Sequence, residues 1–211
     1  MKILNLYAGI GGNRKLWKGH QVTAVENSRE IAEIYQNFFP KDKVIVADAH
    51  QYLLDHYKEY DFIWSSPPCP THSRTNTFLH AQGIIRYPDM DLYQEIIFLK
   101  QWFKGKYIVE NVISYYKPLI EPQLIDRHYF WTNFPVIKIK IDKNAFTICN
   151  ARASTRRQPK DNYEGLKAYH GIKLDLSQSK GLKLLRNCVN PELGKHILDC
   201  AMGKIKQKQL L

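Results

Sequence analysis

The stretch Lys2-Ile3-Leu4-Asn5-Leu6-Tyr7-Ala8-Gly9-Ile10-Gly11-Gly12 decides the fold. The short apolar run Lys2–Tyr7 reads as a strand, and the glycines after it read as a tight strand-to-helix turn. Glycine takes positive φ at little steric cost and lets a backbone approach a ligand closely. The spacing is not the Gly-x-Gly-x-x-Gly of dinucleotide enzymes. A turn with no ligand would use the same residues.

Outward from this turn, strands and helices alternate. Val22–Glu26 is a second predicted strand. Ser28 is a predicted N-cap for a helix with Ile31, Ile34, Tyr35 and Phe38 on one face. Val44–Ala47 and Phe62–Ser65 read as the third and fourth strands. Leu92, Ile96, Leu99 and Phe103 mark another amphipathic helix, followed by a strand at Tyr107–Glu110. This order predicts an α/β fold, a mostly parallel sheet with helices on both faces. The character changes after Phe134. A strand-like Val136–Ile141 leads into a polar, basic stretch of weak periodicity that runs to about Gly181. Pro191 then opens a last helix carrying Leu193, Ile197, Leu198 and Ala201. The tail from Lys204 is basic, and there are no internal repeats.

With 211 residues, the chain can bury one catalytic core and a small appendage. No run of 18 apolar residues exists, and Met1–Leu6 reads as a strand rather than a signal peptide. The formal net charge of +11 favours a polyanionic partner. In the absence of a basic amphipathic helix, nucleic acid fits better than a membrane surface. The four cysteines, Cys69, Cys149, Cys188 and Cys200, form no Cys-x-x-Cys pair. The spacing predicts no metal site and a reduced, cytoplasmic protein.

The chemistry-bearing residues sit at predicted strand ends. Glu26 ends the second strand, where an acid can grip ribose hydroxyls or favour a helix N-terminus. Asp48, after the third strand, has the same two readings. The segment Ser65-Ser66-Pro67-Pro68-Cys69-Pro70 follows the fourth strand. Its prolines stiffen the backbone, so the thiol is presented rather than packed. A thiolate suits attack on an electron-poor ring carbon. Cys149, Cys188 and Cys200 lack that setting and read as packed thiols. Glu110-Asn111-Val112 ends the next strand, where Glu110 could serve a heterocycle's nitrogens and Asn111 could equally cap a helix.

In this order the elements resemble those of the cytosine carbon-5 DNA methyltransferases. Tyr7–Gly12 is similar to the family's Phe-Ala-Gly-x-Gly-Gly methionine-binding loop, with Tyr in place of Phe. Glu26 matches its ribose acid and Asp48 its adenine-binding acid. Pro67-Pro68-Cys69 looks like its Pro-Cys element and Glu110-Asn111-Val112 like its Glu-Asn-Val. Pro122-Gln123 through Arg127 is similar to its Gln-x-Arg-x-Arg element, and Asn187-Cys188-Val189 resembles the segment that folds back beside the cofactor loop. The resemblance covers residues 1–134 and 185–203. Pro70 replaces the usual Gln, Ile125 replaces the first Arg, and the interval before Asn187 is short for a recognition domain.

The resemblance implies a Rossmann-like methyltransferase fold with a core at 1–134, a small basic recognition region at 135–182 and a returning segment at 183–211. It implies S-adenosylmethionine as cofactor, held by Tyr7, Ala8, Gly9, Ile10, Gly11, Gly12, Glu26, Asn27, Asp48, Ala49, Pro67, Asn187, Cys188 and Val189. Cys69 would be the nucleophile, Glu110 the general acid and Arg127 the contact to the cytosine carbonyl. Double-stranded DNA would meet Ser73, Arg74 and Asn76 of a mobile loop with a polar tip, from Thr71 to about Pro88. It would also meet Arg152, Arg156, Arg157 and Lys160, where lysines and arginines outnumber acids. The family context adds a companion restriction endonuclease as a partner, a monomer, and a prokaryotic or phage origin. A tRNA-directed cytosine-5 enzyme and a catalytically silent DNA-binding protein on the same scaffold are the rival readings.

Overall fold

A computed structural model describes residues 1–139 and 159–205, with the side chains of 159–162 excepted. The strands are β1 (Lys2–Leu6), β2 (Gln21–Glu26), β3 (Lys43–Val46), β4 (Phe62–Ser65), β5 (Lys106–Val112), β6 (Gln123–Ile125) and β7 (His128–Thr132). The helices are α1 (Arg29–Phe38), α2 (Ala49–His56), α3 (Asn76–His80), α4 (Asp91–Trp102), α5 (Pro159–His170), α6 (Gln178–Arg186) and α7 (Pro191–Ala201). One seven-stranded sheet runs in the order β3-β2-β1-β4-β5-β7-β6. β1 to β5 are parallel, and β7 and β6 close the far edge antiparallel. The predicted α/β class and Rossmann-like order hold.

β1 is the central strand, and Ile3, Leu4, Asn5 and Leu6 are all fully buried. A strand covered on both faces reads as a continuous apolar run, which is why Lys2–Leu6 was legible. Alternate side chains divide between two cores. Ile3, Phe62, Trp64 and Ile108 pack with Trp17, Leu193 and Ile197 on one face. Leu4, Leu6, Ile63 and Val109 pack with Leu53, Leu92, Ile96 and Leu99 on the other. Asn5 interrupts the run without penalty because its amide pairs with that of Asn13, whose Nδ2 donates to Asn5 Oδ1 at 2.8 Å.

The helix caps follow the sequence. Ser28 Oγ accepts from Ile31 N, and Asn190 Oδ1 accepts from Glu192 N at 2.8 Å, with Pro191 in the first turn of α7. On α1, Tyr35 is buried, whereas Phe38 lies at the exposed edge of the predicted face.

The second half departs from expectation. Residues 136–139 form no strand, and 140 and 141 lie outside the described residues. Val136 N donates to Gln123 Oε1 at 3.3 Å, and Ile137 O accepts from His196 Nε2 at 2.7 Å. Side chains therefore satisfy backbone groups that a neighbouring strand would otherwise meet. The stretch read as aperiodic carries α5 and α6. Tyr163, Leu166, Ile172, Leu174, Leu184 and Leu185 form a third core with Ile10 of the β1 loop. The two helices approach closely at Gly181, where a Cβ would lie 2.4 Å from the Tyr163 ring. Lys15 Nζ donates to His170 O at 3.0 Å, and Lys180 pairs with Glu30 of α1.

Gly12 joins the N-terminal loop to the returning segment. A Cβ there would lie 2.6 Å from Val189 O and 2.9 Å from Cys188 Cβ. Backbone cannot yield as a side-chain tip can, so Gly12→Ala should cost about 1–3 kcal/mol of stability through overpacking. Urea unfolding measures it, and an unchanged midpoint would contradict the close junction.

Candidate active site

The sheet order reverses between β1 and β4, and in an open α/β sheet the ligand crevice falls at the carboxyl ends of the strands at that switch point. The loop after β1 turns sharply. Tyr7 has φ +53°, Gly9 +54° and Gly11 +79°. The glycines serve different ends. A Cβ at Gly11 would meet the Phe39 ring at 2.3 Å, so this chain's own packing requires that glycine, as it does Gly12. A Cβ at Gly9 would meet nothing within 4 Å, so there the backbone faces open space. Ala8 and Ile10 are buried beneath the loop.

Glu26 fastens this loop. Its Oε2 accepts from Gly9 N at 3.0 Å and its Oε1 from Ser28 N at 3.1 Å, just before α1. The helix-start reading of Glu26 is therefore realised, at a position that also borders the crevice. Asp48 caps α2 through Gln51 N at 2.8 Å and remains exposed, with Ala49 buried as the first helical residue. Asn27 is exposed beside Glu26. At the other end of the chain, Cys188 and Val189 are buried against Gly12, and Asn187 is exposed at the end of α6. Of the fourteen residues expected to hold a cofactor, Tyr7 to Gly12 form the loop, Glu26 bonds it, Cys188 and Val189 pack on it, and Pro67 lies buried before Cys69. The open space at Gly9 and the adjoining carboxylates suit a nucleoside bearing an amino acid.

Cys69 is part-buried four residues after β4. Asn111 does not cap a helix. Its Nδ2 donates to Pro67 O at 3.0 Å, tying β5 to the proline-stiffened turn. Glu110 lies within electrostatic reach of the thiol. Burial pushes the Cys69 pKa up, and the Glu110 carboxylate raises it further by opposing a second negative charge. Cys188 is pushed up to about 12 by complete burial, and burial also raises Cys200. Arg127 sits in the β6–β7 turn beside Asp126, whose φ is +53°. Because β7 is antiparallel, His128 pairs with Val112 at the carboxyl end of β5, which brings Arg127 to the crevice edge. Ile125 is buried in the sheet core, so the usual first arginine is replaced by a packing residue.

The loop after Cys69 is built differently from its expected form. His72 and Asn76 are each 1% exposed. Asn76 Nδ2 donates to Pro70 O at 2.8 Å, and His72 Nδ1 meets Tyr116 OH at 2.6 Å. Asn76 is therefore a loop fastener in this conformation, not a surface contact. Ser73 bonds Thr75 and bridges to Ser114, while Arg74 is exposed. The predicted polar tip is instead apolar. Phe78, Ile84, Ile85 and Tyr87 are 50% or more exposed. The inward side chains fasten the loop, which also pairs through its backbone with the segment after β5, where Arg74 N donates to Ile113 O and Tyr115 N to His72 O, each at 3.0 Å. Arg152, Arg156 and Arg157 lie outside the described residues, as does Cys149. Lys160 is in α5, with its side chain outside them.

Two site residues escaped the sequence reading. His128 Nε2 lies 3.6 Å from Glu110 Oε1. Glu95 of α4 is fully buried against Tyr7 and Ser65. Neither belongs to a recognisable motif. For Glu95, the signal was an acid on the buried face of an otherwise apolar helix.

A thiol and a carboxylate at the ends of adjoining parallel strands, beside a glycine loop fastened by Glu26, fit a methyltransferase. Residues 1–117 match the family described as C-5 cytosine-specific DNA methylase, and the chain belongs to that family. A curated relative, the tRNA (cytosine(38)-C(5))-methyltransferase of Spodoptera frugiperda, is 32% identical over 102 residues. That match covers 40% of this chain and 31% of the relative's length. Two solved structures share the fold over nearly the whole chain. One is the Entamoeba histolytica methyltransferase EhMeth, with TM-score 0.61 and 10% identity over 98% of this chain and 99% of that one. The other is a mutant of Spodoptera frugiperda DNMT2, with TM-score 0.62 and 15% identity over 95% and 99%. Among the described residues, no helix is long and apolar enough to cross a membrane.

The Cys69–Glu110 pair makes a pH prediction. The thiol's pKa lies above its ordinary value of 9.0, so reaction with iodoacetamide should climb with pH to a midpoint above that value. Glu110→Gln removes the opposing charge and should move the midpoint down. Peptide-resolved mass spectrometry of Cys69 reads the rate, and an unmoved midpoint would show that Glu110 does not act on the thiol.

Proposed function

We propose that this chain transfers a methyl group from S-adenosylmethionine to carbon 5 of a cytosine flipped out of duplex DNA. The observation that carries this reading is the thiol of Cys69 held at the end of β4 within the field of Glu110 at the end of β5. The cofactor supplies an electrophilic methyl group when bound at the Gly9 loop.

A stacked cytosine hides its ring carbons, so the base must leave the helix to be reached. Cys69 loses its proton to water as sulfur bonds to carbon 6, and the ring electrons shift toward carbon 5. Glu110, in its protonated form, hydrogen-bonds N3 and stabilises the charge that collects there. This same protonation removes the negative field that opposes the thiolate, so base binding at Glu110 and activation of Cys69 are coupled. Arg127 at the crevice edge donates to the carbonyl oxygen at position 2. After methylation, the proton on carbon 5 passes to water, the carbon–sulfur bond breaks and Cys69 is restored. The excess of lysine and arginine, with exposed Arg74, Lys138 and Lys173, favours a phosphate backbone.

A second reading, a tRNA cytosine as substrate, is favoured by the activity of the Spodoptera frugiperda relative. Trapping separates the two. DNA containing 5-fluorocytosine and S-adenosylmethionine should give a covalent adduct with the wild type, stable in denaturing gels, because fluorine cannot leave as a proton does. Cys69→Ser should give none. Trapping only on fluorinated tRNA would assign the RNA substrate, and trapping on neither would overturn the methyltransferase reading.

A further inference from the structure

Glu95 is a carboxylate with no exposure, on a helix whose other buried residues are apolar or aromatic. Three groups converge on it. Tyr7 OH donates to Oε1 at 2.6 Å, Ser65 Oγ donates to Oε2 at 2.6 Å, and His50 Nδ1 stands 3.1 Å from Oε1. These partners come from three separate segments, each of which borders the crevice. Tyr7 is the first residue beyond β1 and opens the glycine loop. Ser65 is the last residue of β4 and precedes the turn that carries Cys69. His50 is the second residue of α2, directly after the Asp48 cap and Ala49.

The backbone of Tyr7 adds an independent observation. A residue bearing a Cβ rarely adopts φ +53°, and such strain persists only where surrounding contacts hold it. Here the hydroxyl at the far end of the ring is anchored in the core while the backbone makes the turn. The same bond, with burial, drives the Tyr7 pKa far up, so the hydroxyl stays a donor. The bond to Glu95 raises the His50 pKa, which favours the charged imidazole as the third donor.

We propose that Glu95 is a positioning residue for the cofactor crevice, holding the Tyr7 loop, the start of α2 and the end of β4 in one geometry from beneath. This inference rests on the reading of the crevice as the S-adenosylmethionine site. Glu95 touches neither cofactor nor base. It acts through Tyr7, whose turn presents the Gly9 backbone, and through Ser65, whose strand end sets the start of the catalytic turn. A carboxylate serves here because one buried group must accept from three donors, which an amide or an apolar side chain cannot do.

Calorimetric titration of the full chain with S-adenosylmethionine tests this. Tyr7→Phe removes one hydroxyl and keeps the ring, and Glu95→Gln keeps the volume. Each should weaken cofactor binding by about five- to tenfold, the scale of one lost hydrogen bond of ordinary strength. The double variant should be little worse than the poorer single, since both changes break the same contact. In turnover, the loss should fall on KM for the cofactor more than on kcat, which a general loosening of the fold would not produce. Single variants within twofold of wild-type affinity, or losses that multiply in the double, overturn the inference while wild-type binding leaves the crevice reading intact. No binding by the wild type overturns both. If Glu95→Gln fails to fold, Tyr7→Phe and Ser65→Ala, which break separate bonds to Glu95, should each weaken cofactor binding, and either variant within twofold of wild type overturns the inference.

Discussion

The last rung of the β1–β4 ladder pairs Leu6 with Ser65, and just beyond it Ser66 N still reaches Leu6 O at 3.4 Å. Past that bond the two chains part, one into the glycine loop and the other into the proline turn. Parallel strands can be joined only by crossovers, so every carboxyl end of β1 to β5 falls on one edge of the sheet. That constraint places Tyr7, Glu26, Asp48, Cys69 and Glu110 around a single opening although up to a hundred residues separate them. The antiparallel β7 is the one strand running the other way, and its reversal brings Arg127 to the edge that its neighbours reach by their carboxyl ends.

Acids build this opening in a chain that is strongly basic overall. Glu26 closes the loop onto α1, Asp48 caps α2, and Glu95 joins three segments beneath. Each carboxylate is held by donors fixed in the fold. Glu110 differs in that its charge, together with burial, raises the pKa of the neighbouring thiol. Shape and reactivity are thus assigned to different carboxylates.

The motifs at strand ends were legible because they obey local rules. A buried parallel strand is an apolar run, a tight turn needs glycine, a stiff turn uses proline, and a helix start uses Ser, Asn or Asp. Glu26 and Asp48 were legible only as pairs of alternatives, since a carboxylate near a helix N-terminus looks the same in sequence whether or not it borders a ligand. α5 and α6 were not legible. Their apolar residues, from Tyr163 to Leu185, pack on Ile10 and not on the sheet, and glycines at 165 and 181 break the pattern that a helix usually shows. Gly181 sits there because the helices meet at Tyr163, a contact between distant residues.

The sequence by itself determined the parallel core and the order of the chemical groups along it, because period, turn chemistry and spacing are properties of neighbouring residues. Only the tertiary structure decided which groups meet. It turned Asn76 and His72 inward and left Phe78, Ile84, Ile85 and Tyr87 facing out, because Asn76 meets Pro70 O and His72 meets Tyr116, partners that folding brings to them. It also set Glu95 under Tyr7, 88 residues away, where the absence of water makes a buried carboxylate depend on donors that no local pattern can supply.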